Sequence, residues 1–366
     1  MKPKILFIMH MPPPIHGAAM MGQYIHDSKL INENFDCIYI NPSASTEISN
    51  IGKVSIKKIF LVISNILRII KTVRKEKPDL CYFTSTIGGW GIFRDMLVVG
   101  SLKLLKQKIV LHLHNKGAES FYKKHKISFF AYHVIFKNTK IILLAQQLYS
   151  DISLFAKKEQ IYYCPNGIPE TLSEPIIRTK VHKPFTFLFL SNMIKSKGGL
   201  ILLESCRILK EQGYTFRCDF VGKWGNITES IFTEYLHKYQ LDNYVFYHGA
   251  KYGNDKIPFF INADALIFPT YYETFGLVLL EAMEFSLPCI STYEGGIPSI
   301  IDDEVNGFLV PTQNVEELTK AMIRLIENPQ KSIQLGKNAR EKFTQYYTLK
   351  TFEYRIKNIL SDILNH

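Results

Sequence analysis

Two glutamates bracket an apolar run in the stretch TYYETFGLVLLEAMEF. Glu273 and Glu281 are separated by seven mostly apolar residues. A helix that only packs on a sheet has no need of a carboxylate at both ends of such a run. Periodicity alone leaves two interpretations open. The glutamates hold a ligand between them, or Glu273 is a capping charge and Glu281 a solvated helix residue.

The residues around Glu273 predict a helix start that can bind an anion. ALIFPT reads as a strand, YYE as a loop and TFGLVLLEAMEF as a helix, with Thr274 as the expected N-cap. The free N–H groups of Phe275, Gly276 and Leu277 then point toward the strand end. Glu281 follows roughly 9 Å along the helix axis. That is about the distance from the diphosphate to the ribose of a nucleotide.

A second candidate anion site follows the predicted strand FTFLFLS. There Lys197 precedes a helix that is expected to open at Gly198. A cation is unfavourable at a helix start unless an anion is bound there. If the motif stood alone, a surface lysine beside a turn would be the better interpretation.

The first half of the chain offers a small-residue loop and a pair of histidines. The helix after strand KILFIM is expected to begin near Gly17, where a ligand can approach the backbone. Strand KIVLHLH places His112 and His114 on the same side, with His114 nearer the carboxyl end. The pattern does not decide which histidine faces a ligand.

Composition narrows the function classes. The chain has 366 residues and a net charge of +11, which favours an anionic partner: nucleic acid, a membrane surface or a phosphorylated small molecule. No nucleic-acid motif is present, and nucleic-acid binding is not expected. Six scattered cysteines predict reduced thiols in a cytoplasmic protein, and no stretch is apolar enough to span a membrane. D-x-D, H-E-x-x-H, Walker A and G-x-G-x-x-G motifs are absent, so neither a metal nor a dinucleotide cofactor is expected.

Short apolar runs alternate with helix-length segments and predict an α/β fold. Six runs precede residue 168 and six follow residue 184, which indicates two Rossmann-like domains in tandem. The predicted domains cover 1–168 and 184–347. The last helix, about 348–366, is expected to pack back on the first domain.

Several segments together resemble glycosyltransferase family 4. The stretch from Pro269 to Met283 is similar to the family's P-x-x-x-E-x-F-G-x-x-x-x-E-A-M pattern. Other segments resemble further family motifs in family order, from about residue 160 to 311: CPNGI (164–168), SKGGLILLESC (196–206), GGIPSII (295–301) and NGFLVP (306–311).

This resemblance implies a GT-B architecture, with two Rossmann-like domains facing across a cleft and the C-terminal helix crossing back. It implies a UDP- or GDP-sugar donor in the C-terminal domain and a saccharide acceptor in the N-terminal one. Glu281 would bind the ribose hydroxyls and Glu273 the donor sugar. Lys197 and the amides of residues 275–277 would bind the diphosphate. His114 would face the donor sugar, with Gly17 lining the loop beneath it.

Two positions depart from the family pattern. Asn192 stands where the family usually has an arginine, so phosphate neutralisation would depend more on Lys197 or on nearby Lys195. Ser299 replaces the glutamate of the GGxPE segment, which removes any contact of that carboxylate.

The resemblance predicts a retaining, metal-independent transfer in capsule or O-antigen biosynthesis. A sugar-nucleotide epimerase of the same fold and a non-catalytic sugar-nucleotide-binding subunit are the alternatives. Segment 121–137 combines lysines with aromatic residues, which favours contact with an anionic membrane. Segment 53–77 fits either such contact or a core-facing helix with a solvated basic face. We therefore expect an acceptor linked to a polyprenyl diphosphate, and a cytoplasmic protein peripheral on the inner face of the cell membrane.

Overall fold

The structure is a computed structural model that describes residues 2–13, 16–42, 56–172, 174 and 176–366, with the backbone alone for 56–59. The chain forms two compact units. The first comprises Met1–Asn166 and Leu349–His366, and the second comprises Gly167–Thr348.

The first unit is built on a parallel six-stranded sheet in the order β2-β1-β3-β4-β5-β6. Its strands are β1 Lys4–Ile8, β2 Asp36–Ile40, β3 Leu80–Ser85, β4 Ile109–Leu113, β5 Lys140–Leu143 and β6 Ile161–Tyr163. Its helices are α1 Gly17–Asp27, α2 Lys29–Asn34, α3 Ile56–Glu76, α4 Gly91–Leu104, α5 Ala118–Lys124 and α6 Ser128–Phe136, followed much later in the chain by α14 Leu349–Asn365.

The second unit has a second parallel six-stranded sheet, in the order β12-β11-β10-β7-β8-β9. Its strands are β7 Phe185–Leu190, β8 Phe216–Val221, β9 Val245–Tyr247, β10 Ala265–Ile267, β11 Cys289–Thr292 and β12 Gly307–Val310. Its helices are α7 Gly199–Glu211, α8 Glu229–Tyr239, α9 Ile257–Asn262, α10 Leu277–Glu284, α11 Ile297–Ile300, α12 Val315–Glu327 and α13 Pro329–Tyr346.

The predicted α/β fold with two Rossmann-like sheets is confirmed. Each of the twelve apolar runs contains a strand, and the central strands β1, β4 and β7 are buried along nearly their whole length. Buried residues on both faces explain why these runs read as continuously apolar. Each unit has its own hydrophobic core between sheet and helices.

Helix α14 completes the first unit. It packs against α2, and Tyr162 at β6 donates a hydrogen bond to Asp362 at 2.7 Å. Its apolar residues Phe352, Ile356 and Leu360 are fully buried. The first unit is therefore assembled from two stretches of chain that are far apart in sequence.

The proline-containing segment after residue 167 lies on the second unit. The Glu284 carboxylate accepts hydrogen bonds from the amides of Thr171 and Leu172. The Arg178 guanidinium donates to the carbonyl oxygens of Ala263 at 2.6 Å and Phe285 at 3.1 Å. Buried polar side chains thus fasten this irregular segment to α10 and its neighbours, although it has no periodic pattern.

The cysteines and helices can be compared with the composition. All six cysteines are free thiols. Within the described ranges, no helix has the length and apolar character needed to cross a bilayer.

Candidate active site

The order of strands in the second unit defines where a ligand is expected. Strands β7 and β10 are adjacent, and the chain leaves them in opposite directions along the sheet. In open parallel sheets, ligands bind beyond the carboxyl ends of the two strands at this reversal. Lys197 follows β7 and Glu273 follows β10. The topology therefore brings two of the predicted site residues to one edge.

The loops after β7 and β10 are in direct contact. Gly198 has φ +83°, and a Cβ atom at this position would lie 2.1 Å from the Pro269 carbonyl oxygen. The Ser196 carbonyl oxygen accepts hydrogen bonds from the Tyr271 amide and the Thr270 hydroxyl, both at 2.9 Å. Only glycine allows this approach, since any side chain would push the loops apart.

Lys197 and Glu273 form an ion pair at this contact. The Lys197 Nζ lies 2.7 Å from Glu273 Oε2, and the side chains are 23% and 18% exposed. Both groups therefore remain accessible while they hold each other. Lys197 belongs to a short 3-10 turn, Lys195–Lys197, which precedes α7.

The start of α10 differs from the prediction. Thr274 is not the N-cap: the helix begins at Leu277, and Gly276 caps it with φ +93°. Glu273 Oε1 accepts the amides of Thr274 at 2.9 Å and Phe275 at 3.4 Å. The glutamate therefore holds the loop before the helix, and no side chain caps the helix itself.

The amides at the start of α10 are not equivalent. The Phe275 amide is already engaged by Glu273, so it is not free as predicted. The Gly276 and Leu277 amides have no acceptor in the part of the chain that the structure describes. These two N–H groups remain able to bind an anion at the helix start.

Glu281 is also ion-paired. Its Oε1 lies 2.5 Å from Nζ of Lys256, and both side chains are partly exposed. Lys256 ends a 3-10 turn, Gly253–Lys256, that leads into α9. The sequence reading missed this lysine. No motif links it to Glu281. The two residues lie on either side of β10 in the chain and meet only in the folded structure.

The turn at residues 293–296 supports the Glu273 loop. Gly295 has φ +54°, and a Cβ atom there would lie 2.2 Å from the Glu273 carbonyl oxygen. The Glu273 amide donates to Glu294 Oε1 at 3.3 Å, and the Gly296 amide donates to the Thr274 carbonyl at 2.8 Å. Glu294 is a further carboxylate beside the site that the sequence reading missed. The hydroxyl of Ser299 donates to the Gly296 carbonyl at 2.6 Å and closes the turn.

Asn192 is placed differently from the other predicted residues. It is exposed beyond β7, and its Oδ1 accepts the Lys223 amide at 3.4 Å. In the described residues, no hydrogen bond joins its side chain to Lys197 or Glu273. Asn192 therefore orients toward the loop after β8.

Histidines gather at the carboxyl edge of the first unit's sheet. His10 and His16 follow β1, while His112 and His114 lie at the end of β4. Strand β3 separates β1 from β4 and lies at the reversal of this sheet's strand order. Helix α1 begins at Gly17 as predicted, and Nδ1 of His16 caps it by accepting the Ala19 amide at 3.3 Å.

His112 and His114 share one side of β4, as the alternation predicts. Their rings are 4.1 Å apart between centroids. His112 is fully buried and bonded through Nδ1 to the Tyr82 hydroxyl at 2.5 Å, whereas His114 is partly exposed. Neither nitrogen of His114 has a partner among the described residues. Nε2 of His112 also lacks a partner among the described residues, so each histidine of the pair keeps at least one buried ring nitrogen without a hydrogen bond.

Burial keeps these histidines neutral. Burial lowers the pKa of His114 to about 3, with the charges of His16 and His10 adding to the effect. Burial, Arg94 and His16 lower the pKa of His10 to about 4. Burial also lowers the pKa of His112. At neutral pH these imidazoles can exchange hydrogen bonds with uncharged hydroxyl groups, but they carry no charge.

Metal ligands do not cluster in the described residues. In those ranges, no group of three or more histidines, cysteines, aspartates or glutamates is arranged to hold a metal ion. The positive charge at the edge of the second unit comes from Lys197 and Lys256.

Residues 173–342 match the family model of glycosyl transferases group 1. The match lies entirely within the second unit. It includes Lys197, Glu273, Gly276 and Glu281. The histidine cluster and Gly17 lie beyond it.

Two curated relatives come from polysaccharide biosynthesis. The chain is 26% identical over 234 residues to the amylovoran biosynthesis glycosyltransferase AmsK of Erwinia amylovora, covering 61% of this chain and 56% of AmsK. It is 24% identical over 323 residues to the capsular polysaccharide biosynthesis glycosyltransferase CapM of Staphylococcus aureus, covering 84% and 82%. The chain thus spans little more than half of AmsK and most of CapM.

A solved structure shares the fold. Anabaena Alr3699/HepE in complex with UDP-glucose superposes with a TM-score of 0.74 at 18% identity, covering 98% of this chain and 99% of that one. The likeness extends over both units and shows the fold alone. Residues 173–342 of the second unit are thus similar in sequence to the group 1 glycosyl transferases, and the whole chain is similar in fold to Alr3699/HepE.

Proposed function

We propose that the protein is a retaining glycosyltransferase of family 4 that uses a nucleotide-sugar donor. The observation that carries this proposal is the pair of accessible ion pairs along one edge of the second unit, Lys197 with Glu273 and Lys256 with Glu281. They flank the free amides at the start of α10. Cations, free amides and carboxylates match the phosphates and the hydroxyl groups of such a donor.

The donor is proposed to lie along α10. Lys197 and the amides of Gly276 and Leu277 bind the diphosphate, while Glu281 accepts hydrogen bonds from the ribose hydroxyls. Glu273 binds the donor sugar. The similar fold of Alr3699/HepE, solved with UDP-glucose, supports a UDP-sugar, and a GDP-sugar fits the same groups.

The proposed transfer retains the configuration at the anomeric carbon. The acceptor oxygen bonds to that carbon on the face from which the diphosphate leaves, and the acceptor proton passes to a departing phosphate oxygen. Lys197 stabilises the charge that develops on the diphosphate. No metal is required in this scheme, because the lysine and the amides supply the positive charge.

The acceptor is proposed to bind the first unit. Neutral His114 and the Gly17 loop offer hydrogen-bonding groups and close backbone approach to saccharide hydroxyls. The names of AmsK and CapM support a role in the biosynthesis of a cell-surface polysaccharide, capsule or O-antigen. A saccharide carried on a polyprenyl diphosphate is the acceptor we propose.

Exposed apolar residues on the first unit support attachment to the cytoplasmic face of a membrane. Phe60 and Leu67 project from α3, and Ile127 and Phe130 lie at the start of α6. Helices α3 and α6 both pack against α4.

Lys123 is paired with Glu119, and Lys126 lies over the Tyr122 ring, so part of the basic charge of segment 121–137 is satisfied locally. Residues 53–55 of the other segment lie outside the described residues.

A panel of nucleotide sugars tests the proposal. One or a few UDP- or GDP-sugars are expected to raise the melting temperature of the wild-type protein but not of Glu281→Ala. The stabilising donor is then incubated with lipid-linked saccharides, with and without EDTA. Transfer that survives EDTA and keeps the donor's anomeric configuration supports the proposal, whereas an inverted product or a requirement for metal contradicts it.

A further inference from the structure

The first unit has a cavity lined by lysines, far from the histidine cluster, which we call the distal pocket. We propose that the distal pocket binds a phosphorylated ligand whose phosphate is attached to an apolar body. Its volume is about 630 Å³. Pockets of roughly 300 to 1,000 Å³ are typical of small-molecule sites. Nothing in the proposed transfer uses it.

The distal pocket lies at the amino-terminal ends of strands β4, β5 and β6. Ile109 and Lys140 are the first residues of β4 and β5, and Gln160 directly precedes β6. His114 follows the opposite end of β4. A strand of five residues is roughly 16 Å long, so the two places are on opposite edges of the sheet.

Four lysines line the distal pocket: Lys108, Lys137, Lys140 and Lys157. Among the described residues, none of the four forms an ion pair with a carboxylate. Elsewhere in this unit, Lys4 and Lys123 are paired with acidic neighbours. Glu159 carries the one acidic side chain in the lining that the structure describes. The excess of unpaired positive charge favours an anion.

The wall of the distal pocket is held in place before any ligand arrives. The side-chain amide of Gln160 donates to the carbonyl oxygens of Phe136 at 2.7 Å and Thr139 at 2.8 Å. Lys103 donates to the Val134 carbonyl at 2.5 Å and to the Lys137 carbonyl. The loop that carries Lys137 is thus fixed from two sides. A preformed site avoids the entropic cost of ordering on binding.

The chemistry of the lining sets the class of ligand. Ile109, Phe155 and the Ile363 side chain of α14 supply apolar surface next to the lysines. Lysine ammonium groups bind phosphate as point charges, and the apolar surface favours a hydrocarbon or aromatic group beside it. A membrane lipid headgroup and a soluble phosphorylated metabolite share this chemistry.

Binding of geranyl diphosphate, measured by calorimetry, tests the proposal. The variant Lys137→Glu/Lys157→Glu changes two exposed lysines of the distal pocket. The control Lys29→Glu/Lys180→Glu makes the same change of charge at exposed lysines away from it. We expect at least tenfold weaker binding in the pocket variant and wild-type binding in the control. The variant Lys197→Ala should also bind normally, which separates the distal pocket from the proposed donor site.

Two further probes identify the source of the ligand. Flotation with vesicles that contain phosphatidic acid, lost only in the pocket variant, assigns the distal pocket to a lipid phosphate. Binding of soluble geranyl diphosphate without such flotation assigns it to a metabolite. Equal binding by the pocket variant and the control, or no binding of either probe by the wild-type protein, overturns the proposal. The rise in melting temperature that the donor causes should be unchanged in the pocket variant. A failure of this proposal can therefore be distinguished from a failure of the proposed transfer activity.

Discussion

The carboxyl edges of the two sheets carry different kinds of side chain. In the second unit the candidate residues are charged, partly exposed and paired: Lys197 with Glu273, and Lys256 with Glu281. In the first unit they are histidines whose pKa values are lowered by burial, and His114 has no hydrogen-bond partner among the described residues. Charged groups suit a diphosphate, and neutral imidazoles suit uncharged hydroxyls. The contrast supports the proposal that the second unit binds the nucleotide-sugar donor and the first unit the acceptor.

Removing the cation of the second unit tests this contrast most strongly. We expect Lys197→Ala to lower turnover by about 10²- to 10³-fold, the usual range for losing one group that stabilises developing charge. Lys195→Ala, in the same turn, should lower it far less. Initial rates with the preferred donor give the answer, and circular dichroism checks the fold. Equal effects of the two substitutions would remove Lys197 from its proposed role.

Separating the loops that carry Lys197 and Glu273 should also have a large effect. In Gly198→Ala the new Cβ atom meets the Pro269 carbonyl oxygen, and φ is +83°. Gly213 provides a matched control, since it has φ +84° but nothing within 4 Å of the new atom. We expect a loss of about 3 kcal/mol in unfolding free energy for Gly198→Ala and about 1 kcal/mol for Gly213→Ala. Similar urea midpoints for both variants would show that the loop contact is not tight.

Glu281 tests the nucleotide end of the same edge. Glu281→Ala should weaken nucleotide binding by about 1–3 kcal/mol, the range for hydrogen bonds to a charged group. Calorimetric titration of the donor nucleotide measures this directly. Glu317→Ala is a suitable control, because Glu317 is paired with Lys320 on the surface of α12. Unchanged affinity in Glu281→Ala would contradict the assignment.

The histidines predict a pH dependence with a definite sign. Unfolded histidines take up protons near pH 6.5, whereas His114 and His10 have their pKa lowered to about 3 and about 4 in the fold. The stability that they contribute is therefore present above about pH 6.5 and is lost as the pH falls below it. The expected loss is up to about 1.4 kcal/mol per pH unit for each histidine.

Substitution of His114 sharpens this pH test. Between pH 7 and pH 5, His114→Gln should lose less stability in urea than the wild-type protein. His237→Gln, on the exposed surface of α8, should behave like the wild-type protein. Identical acid sensitivity in all three proteins would mean that His114 is not held neutral by its surroundings.

The sequence predicts the sheets well and the local contacts less well. Buried parallel strands leave continuous apolar runs, so every run contains a strand. The family resemblance assigns Lys197 and Glu273 to one donor, and the strand order that brings them to one edge comes only from the structure. The predicted N-cap, Thr274, is wrong, because the loop continues to Gly276, whose φ of +93° precedes the helix start at Leu277. Lys256 leaves no sequence signal, because its pairing with Glu281 depends on tertiary structure.

The distal pocket could not be predicted from sequence motifs. Its lysines are scattered over three strand starts, and Ile363 comes from the end of the chain. Candidate residues are expected in the loops after strands, because ligands usually bind at the carboxyl ends of the strands in a parallel sheet. A cavity at the opposite edge becomes visible only when the strands are aligned in a sheet.

The bridge between Ile168 and Thr348 has a consequence for biosynthesis on the ribosome. It brings together the two points where the chain enters and leaves the second unit, which is therefore inserted as a whole between β6 and α14. The first unit's last helix is synthesised 182 residues after the rest of that unit. At about 5–20 residues per second, this delay is roughly 10 to 40 s. During that time the surface of α2 that α14 later covers is exposed.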